Sequence, residues 1–179
     1  MIDSVIHEPW RSFLYELDSI LEEETLLHCL GGFLVTQIYG FDRETGDIDA
    51  MSIVPRNPNL IDKSGKDSTL HKRYGVYLDR VGVVTVPENY ADRLTEIYAG
   101  QFQKLRLLAL DPYDIALAKI ERNIGRDRED VKYLAKTVPF DLEVLQRRYH
   151  EELRPYLGIP EREDLTLKLW IEMIEEDRS

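Results

Sequence analysis

The 179-residue sequence has a single cysteine, Cys29, so it can form no internal disulfide, and this suits a reducing compartment. No apolar run is long enough to cross a bilayer, and residues 1–25 lack the basic and then apolar order of a signal peptide. One cysteine and four scattered histidines show none of the ligand spacings of a zinc site. These absences predict a cytoplasmic protein that has no membrane span and no bound zinc.

Basic residues are also in the minority, because 34 acidic residues outnumber 23 lysines and arginines and give a formal net charge of −11. The excess acid lies at the ends, with a net charge of −6 in residues 1–30 (Asp3 among the acids) and −5 in residues 151–179, so the middle is balanced. This field repels polyanions at long range but leaves room for a local phosphate site.

The spacing of apolar residues predicts strands early and helices late. A helix over 9–24 is followed by a buried strand from Leu26 to Leu30, a short helix from Phe33 to Tyr39 and a strand from Asp47 to Val54. These elements are followed by a loop or short helix over 55–68, a bent strand or hairpin over 75–86 and a strand over 104–110. Helices are predicted over 112–123, 127–136, 141–154 and 161–176, the first with Asp111 as its N-cap. The expected fold is α+β, with a catalytic core over 1–111 and a helical bundle over 112–179.

Two features in the first half can carry chemistry. Gly31 and Gly32 end a predicted strand just before a helix, and residues without a Cβ let the backbone approach a ligand closely. Asp47 and Asp49 are two residues apart on a predicted strand, so both side chains project from one face. Adjacent carboxylates repel each other unless a cation lies between them, and their hard oxygen atoms suit Mg²⁺.

The glycine pair, short helix, turn and Asp-x-Asp strand resemble the DNA polymerase beta-like nucleotidyltransferase superfamily. The sequence is most similar to its small bacterial branch, which includes abortive-infection and toxin–antitoxin nucleotidyltransferases. The segments LDPYDIALAK (Leu110 to Lys119) and RDREDV (Arg126 to Val131) resemble the helical lysine motif and the Arg-Asp-x-x-Asp motif of that branch. The resemblance spans about residues 26–136.

The resemblance implies a nucleotidyltransferase fold and transfer of a nucleotidyl group from an NTP to a hydroxyl of RNA, a protein or a small molecule. It implies Mg²⁺ or Mn²⁺ ligated by Asp47 and Asp49, with Asp79 as our choice for a third ligand. It also implies roles for other residues: Gly31 and Gly32 facing the triphosphate, Lys119 contacting a phosphate, and Asp127 or Asp130 shaping the far wall of the site.

One residue departs from the pattern of active members, which commonly carry Ser or Thr directly after the glycine pair. Here the position is Phe33. Its ring cannot donate a hydrogen bond to phosphate, and we expect it to crowd a bound nucleotide.

Most of these residues also have an ordinary structural interpretation. Gly31-Gly32 is by default a turn, Asp47 and Asp49 a solvated strand start, Asp79 an exposed strand-end acid and Lys119 a surface lysine. Asp127 is by default the N-cap of the following helix, with Asp130 completing a capping box. The remaining conspicuous residues are expected to be structural: His28, Cys29, Trp10 and Trp170 in the core, and residues 71–73 in a solvated turn.

Two functions of different classes therefore remain open from the sequence. The first is a metal-dependent nucleotidyltransferase; with an RNA acceptor, Arg122, Arg126, Arg128 and Lys132 are expected to meet the RNA backbone. The second is an inactive nucleotidyltransferase-fold module that binds or regulates a protein partner through its acidic terminal helices. A toxin–antitoxin component is a third, cellular role that either chemistry could serve.

Overall fold

The computed structural model describes residues 5–179, so Asp3 lies outside the described residues. Within them the chain forms a five-stranded mixed sheet and seven α-helices, which confirms the α+β class. The strands are β1 (Thr25–Leu30), β2 (Asp47–Val54), β3 (Tyr77–Arg80), β4 (Thr95–Ile97) and β5 (Leu105–Ala109). The helices are α1 (Trp10–Ile20), α2 (Pro58–Ser64), α3 (Thr69–Tyr74), α4 (Pro112–Leu117), α5 (Gly125–Thr137), α6 (Leu142–Arg148) and α7 (Pro160–Arg178). Among residues 5–179, no helix is long and apolar enough to cross a bilayer.

The strand order in the sheet is β3-β2-β1-β5-β4. The central strand β1 pairs antiparallel with β2 and parallel with β5. Strand β3 runs parallel to β2 and brings Asp79 opposite Asp49. Because side chains alternate along β2, Ile48 and Ala50 are buried while Asp47 and Asp49 project from the other face.

Two compact units make up the chain. The first contains the described residues up to Val83 together with Leu94–Ala109, and therefore the whole sheet. The second contains Val84–Arg93 and Leu110–Ser179. The predicted division into a core over 1–111 and a helical region over 112–179 stays a prediction.

The first unit is held together by α1. Its Phe13, Leu14 and Leu17 are fully buried at helical spacing. The carboxylate of Asp18, which is only 8 % exposed, accepts hydrogen bonds from three successive backbone N–H groups at the start of β5: those of Gln103 (3.0 Å), Lys104 (2.8 Å) and Leu105 (2.7 Å). The helix is therefore fixed to the sheet by a charged group as well as by apolar contacts.

The second unit packs helices around a core that includes Leu145, Tyr149 and Trp170. Asp111 caps α4 as predicted, because its side chain accepts a hydrogen bond from the backbone N–H of Asp114. The guanidinium of Arg93 joins the fully buried Asp114 (Nε to Oδ2, 2.8 Å) to Glu152 (Nη2 to Oε2, 2.8 Å). These ion pairs attach the segment Val84–Arg93 to the helices.

Several predicted elements differ from the structure. Helix α1 ends at Ile20 rather than at 24, since Glu22–Glu24 would place three acids at the negative end of the helix dipole. Residues 71–73 lie in α3, not in a solvated turn, because Ser68 caps this helix and Gly75 ends it at φ +74°. Residues 81–86 form no strand: after Val81 donates to Ala50 the chain leaves the sheet, and Val83 is 95 % exposed.

We predict that Asp18→Asn lowers the free energy of unfolding by about 2 kcal/mol at neutral pH, because a charged acceptor of three hydrogen bonds becomes a neutral one. Burial raises the pKa of Asp18, but the three N–H donors outweigh it and hold that pKa below its ordinary value. The contribution is therefore complete above the unfolded-state pKa of about 3.9 and is lost as the pH falls through the lower folded-state pKa. Chemical denaturation across this range measures it.

The matched control is Asp62→Asn, an isosteric change at an exposed position of α2. It should move the unfolding free energy by no more than about 0.5 kcal/mol. Equal effects of the two variants, or a gap between Asp18→Asn and wild type that does not narrow in acid, would contradict the assigned role.

Candidate functional site

The site begins at the end of β1, where the backbone of Gly31 lies under the carboxylate of Asp49. Gly31 has φ +80°, and a Cβ built on it would lie 2.0 Å from Asp49 Oδ2. No side chain fits in that space, and the left-handed conformation itself favours glycine. Asp49 stands opposite Leu30 in the β1–β2 ladder, so strand pairing brings the glycine and the carboxylate together.

Three carboxylates meet on the same face of the sheet. One oxygen atom from each of Asp47, Asp49 and Asp79 lies within 4.8 Å of the others. Asp47 and Asp49 are half-buried and Asp79 is exposed. The alternation of β2 and the parallel register of β3 produce this group directly.

Neighbouring hydroxyl groups orient Asp47. Thr45 Oγ1 donates to Asp47 Oδ1 over 3.4 Å, and the phenol of Tyr77 donates to the same carboxylate from the opposite strand position. Burial raises the pKa of Tyr77, and the negative charges of Asp47, Asp79 and Asp49 raise it further. The phenol therefore stays protonated and keeps donating at neutral pH.

The donor set fits a small divalent cation. All three groups offer hard carboxylate oxygens, and ligands of one Mg²⁺ ion lie at most about 4.2 Å apart, so small side-chain rotations close the group around an ion. The bare Gly31 leaves Asp49 the room that this arrangement needs.

The expectation that Phe33 crowds a nucleotide is wrong. Its side chain is fully buried, and its ring packs edge-on against Trp10 with centroids 4.9 Å apart. The core prediction for Trp10 is confirmed, and so is that for Cys29, which is fully buried. Burial and the charge of Asp49 raise the pKa of the Cys29 thiol, so it is not a nucleophile. His28 is half-buried, and burial lowers its pKa, so it is neutral at neutral pH.

The lysine motif forms a separate cluster within the second unit. Lys119 is 5 % exposed, and its Nζ lies 2.9 Å from Asp130 Oδ2 and 3.6 Å from Asp127 Oδ1. Asp127 and Asp130 are fully buried. The interpretation of Lys119 as a snorkelling surface lysine is therefore wrong: it neutralises two carboxylates inside the unit.

The predicted capping role of Asp127 also needs correction. Helix α5 begins earlier, with Ile124 as its N-cap, and Asp127 is the third helical residue. Its carboxylate accepts from the backbone N–H of Ile124 (3.2 Å) and from Arg122 Nη2 (2.6 Å). Burial raises the pKa of Asp127, but the hydrogen bonds from Arg122 and the charge of Lys119 bring it below its ordinary value.

Sequence reasoning missed three residues beside the carboxylates: Arg43, Thr45 and Tyr77. A built Cβ on Gly32 would lie 3.2 Å from Thr45 Oγ1 and 3.3 Å from Arg43 Nη2. A signal was present, since positions 43, 45, 47 and 49 continue the two-residue period of β2 backwards. The glycine at 46 made this stretch resemble a plain turn.

One of three comparisons with known proteins finds a match. Residues 16–178 match the model of a family described as a nucleotidyltransferase of unknown function (DUF6036). The match spans most of the chain, so the chain belongs to this family, and the sheet with its flanking helices is consistent with a nucleotidyltransferase fold. No curated protein and no solved structure matches the chain.

We predict that Gly31→Ala lowers the free energy of unfolding by about 1–3 kcal/mol more than Gly100→Ala, because only the first places a methyl group against Asp49. Gly100 is the matched control: its φ is +78°, and a Cβ there meets nothing within 4 Å. Chemical denaturation of both variants separates the contact from the backbone strain. Equal losses of unfolding free energy in the two variants would show that the Asp49 side chain moves aside at no cost.

We predict that Lys119→Met lowers the free energy of unfolding by about 3–5 kcal/mol at neutral pH, because it leaves a buried carboxylate without its cation. Denaturation curves at neutral pH measure it.

The double variant Lys119→Met/Asp130→Asn should recover part of the loss, because it removes the orphaned charge. Lys168→Met is the control, since Lys168 is exposed and should change stability by no more than about 0.5 kcal/mol. A Lys119 effect as small as that of Lys168 would mean that the cluster has no structural role.

Proposed function

We propose that this member of a nucleotidyltransferase family transfers a nucleotidyl group from an NTP to a hydroxyl with the help of a divalent metal ion, Mg²⁺ or Mn²⁺. The observation that carries the proposal is the convergence of Asp47, Asp49 and Asp79 on one face of the sheet. Three acids from two strands would repel one another without a cation, and the glycine beneath Asp49 fits this arrangement.

Each residue of the site has a defined part in this proposal. Asp47, Asp49 and Asp79 hold the ion, while Thr45 and Tyr77 fix the orientation of Asp47. Gly31 and Gly32 let the triphosphate approach the backbone closely. When bound, the metal supplies positive charge that stabilises the attacking and leaving oxygens. The chain's own contribution is to keep three acceptors at a fixed place on a rigid strand pair.

The roles proposed for Lys119 as a phosphate ligand and for Asp127 or Asp130 as a wall of the site stay predictions. The ion pairs of Lys119 support a structural role first, because drawing its ammonium toward a phosphate would break its 2.9 Å contact with the fully buried Asp130.

The acceptor is a hydroxyl of RNA, a protein or a small molecule. Of the four residues proposed to meet RNA, three are engaged within the second unit: Arg122 with Asp127, Arg128 with the backbone carbonyl of Asn123 (2.5 Å) and Lys132 with Asp177 (2.8 Å). Because these contacts already engage the three side chains, fewer positive charges are available to bind a polyanion. We therefore favour an acceptor other than RNA.

The second candidate is a binding or regulatory module without catalysis. One observation favours it: α7 carries the exposed Leu165 (58 %) and Leu169 (52 %) among acidic residues, a surface that suits a protein partner. A toxin–antitoxin or abortive-infection role would fit either candidate, and we keep it, like the cytoplasmic location suggested by the lone cysteine, as a proposal.

A melting scan tests the proposal. With Mg²⁺ or Mn²⁺ and one of the four NTPs at about a hundredfold above Kd, native-state binding adds about 2.7 kcal/mol, which should raise the wild-type Tm by roughly 5–10 °C. Asp47→Asn, Asp49→Asn and Asp79→Asn should each reduce or abolish the rise. Asp62→Asn, exposed on α2, should keep it.

If no NTP raises the midpoint of the wild type while the aspartate variants melt higher through relief of charge repulsion, the carboxylates hold no metal–nucleotide. The binding module would then be the better explanation.

A further inference from the structure

A second charged group lies beside the carboxylates, on the turn before β2. A Cβ built on Gly32 would lie 3.3 Å from Nη2 and 3.5 Å from Nη1 of Arg43. The guanidinium therefore covers the place where any other residue would carry its side chain. Arg43 is half-buried, and its Cζ lies 5.7 Å from the centre of the Phe41 ring, a cation–π contact that helps to orient it.

Consecutive glycines place one carboxylate and this cation over neighbouring residues of the backbone. Asp49 lies over Gly31 and Arg43 lies over Gly32, and the Cα atoms of adjacent residues are about 3.8 Å apart. Thr45 Oγ1 links the two sides, because it lies over Gly32 and donates to Asp47. Through Gly32 and Thr45, the guanidinium is therefore connected to the group of acids proposed to hold the metal.

An anion that carries several oxygens would use a metal ion and this guanidinium together. The planar fork of Arg matches two oxygens of one phosphate, whereas a carboxylate-bound metal takes a third. The guanidinium and Thr45 Oγ1 are the groups nearest to the Cβ position of Gly32, so polar donors line the place where that anion would lie. A neutral sugar or a free base would use neither charge.

We propose that Arg43 is a phosphate-binding residue that takes the triphosphate of the metal-bound NTP over Gly32. The proposal rests on the proposed function, since the metal site must hold a nucleotide for Arg43 to contact it. In this proposal the phosphate-binding cation lies on the turn before β2, whereas the resemblance implies Lys119 in that role.

Titration calorimetry with Mn²⁺ and tripolyphosphate, and with Mn²⁺ and the NTP that stabilises the wild type, tests this without any activity assay. Arg43→Gln should weaken both by about 10- to 100-fold, the value of one charge-assisted hydrogen-bonded pair. Arg43→Lys keeps the charge but loses the fork, so its loss should be smaller. Affinity for Mn²⁺ alone should stay equal or rise in Arg43→Gln, because a neighbouring positive charge is gone.

Arg80→Gln is the matched control, since it removes the same charge from an exposed position of β3 where strand alternation turns the side chain away from Asp79. It should keep triphosphate affinity within about twofold. Gly32→Ala is an independent variant that keeps every charge: its methyl group fills the space beside Arg43 and should also weaken tripolyphosphate binding. Unfolding curves confirm that each variant folds.

The outcomes separate the two proposals. If wild type binds Mn²⁺ with tripolyphosphate, Asp49→Asn loses it, and Arg43→Gln binds as tightly as Arg80→Gln, only the role of Arg43 is overturned. If wild type binds no tripolyphosphate or NTP with Mn²⁺, both proposals fall together. If Arg43→Gln loses Mn²⁺ affinity as much as triphosphate affinity, Arg43 supports the fold of the site and does not bind phosphate.

Discussion

The contact between Asp49 and the bare backbone of Gly31 is the constraint on which the rest of the site depends. A single methyl group there would overlap the carboxylate at 2.0 Å, so the end of β1 must be glycine for β2 to place its acid over it. The same strand pairing sets Asp47 two residues away and lets β3 bring Asp79 alongside. One steric condition at a strand end thus determines where three negative charges meet, and the next glycine determines where Arg43 can lie.

The two units treat charge differently. In the second unit, buried acids have cations within ion-pair distance: Asp114 with Arg93 and Arg148, Asp130 with Lys119, and Asp127 with Arg122. Breaking such a pair is costly in a buried place, so these groups are fixed. In the first unit, three acids share one partly exposed face. The repulsion that remains between these three acids favours the binding of a cation, whereas the ion pairs of the second unit stabilise its fold.

Local signals made much of the fold predictable. The alternation of Asp47–Val54 matched β2, the apolar run to Leu30 matched β1, and Asp111 before Pro112 marked the cap of α4. Tertiary contacts decided what sequence reasoning missed. The short edge strand β4 forms by pairing with β5, and Phe33 lies in the core because Trp10 packs on it. Lys119 is buried because its ammonium pairs with two acids of α5, Asp127 and Asp130. Arg43 escaped notice because its importance comes from a glycine eleven positions earlier.

The position of Lys119 bears directly on how such a chain could bind a triphosphate. A lysine that contacts a phosphate must exchange its partners during each cycle, and here that exchange would break the ion pair with Asp130, which is fully buried. Arg43, by contrast, is half-buried and lies on the turn that leads into β2, the strand that carries two of the acids proposed to hold the metal. Charge compensation therefore favours Arg43, on the turn before β2, over Lys119 in the helices as the phosphate ligand.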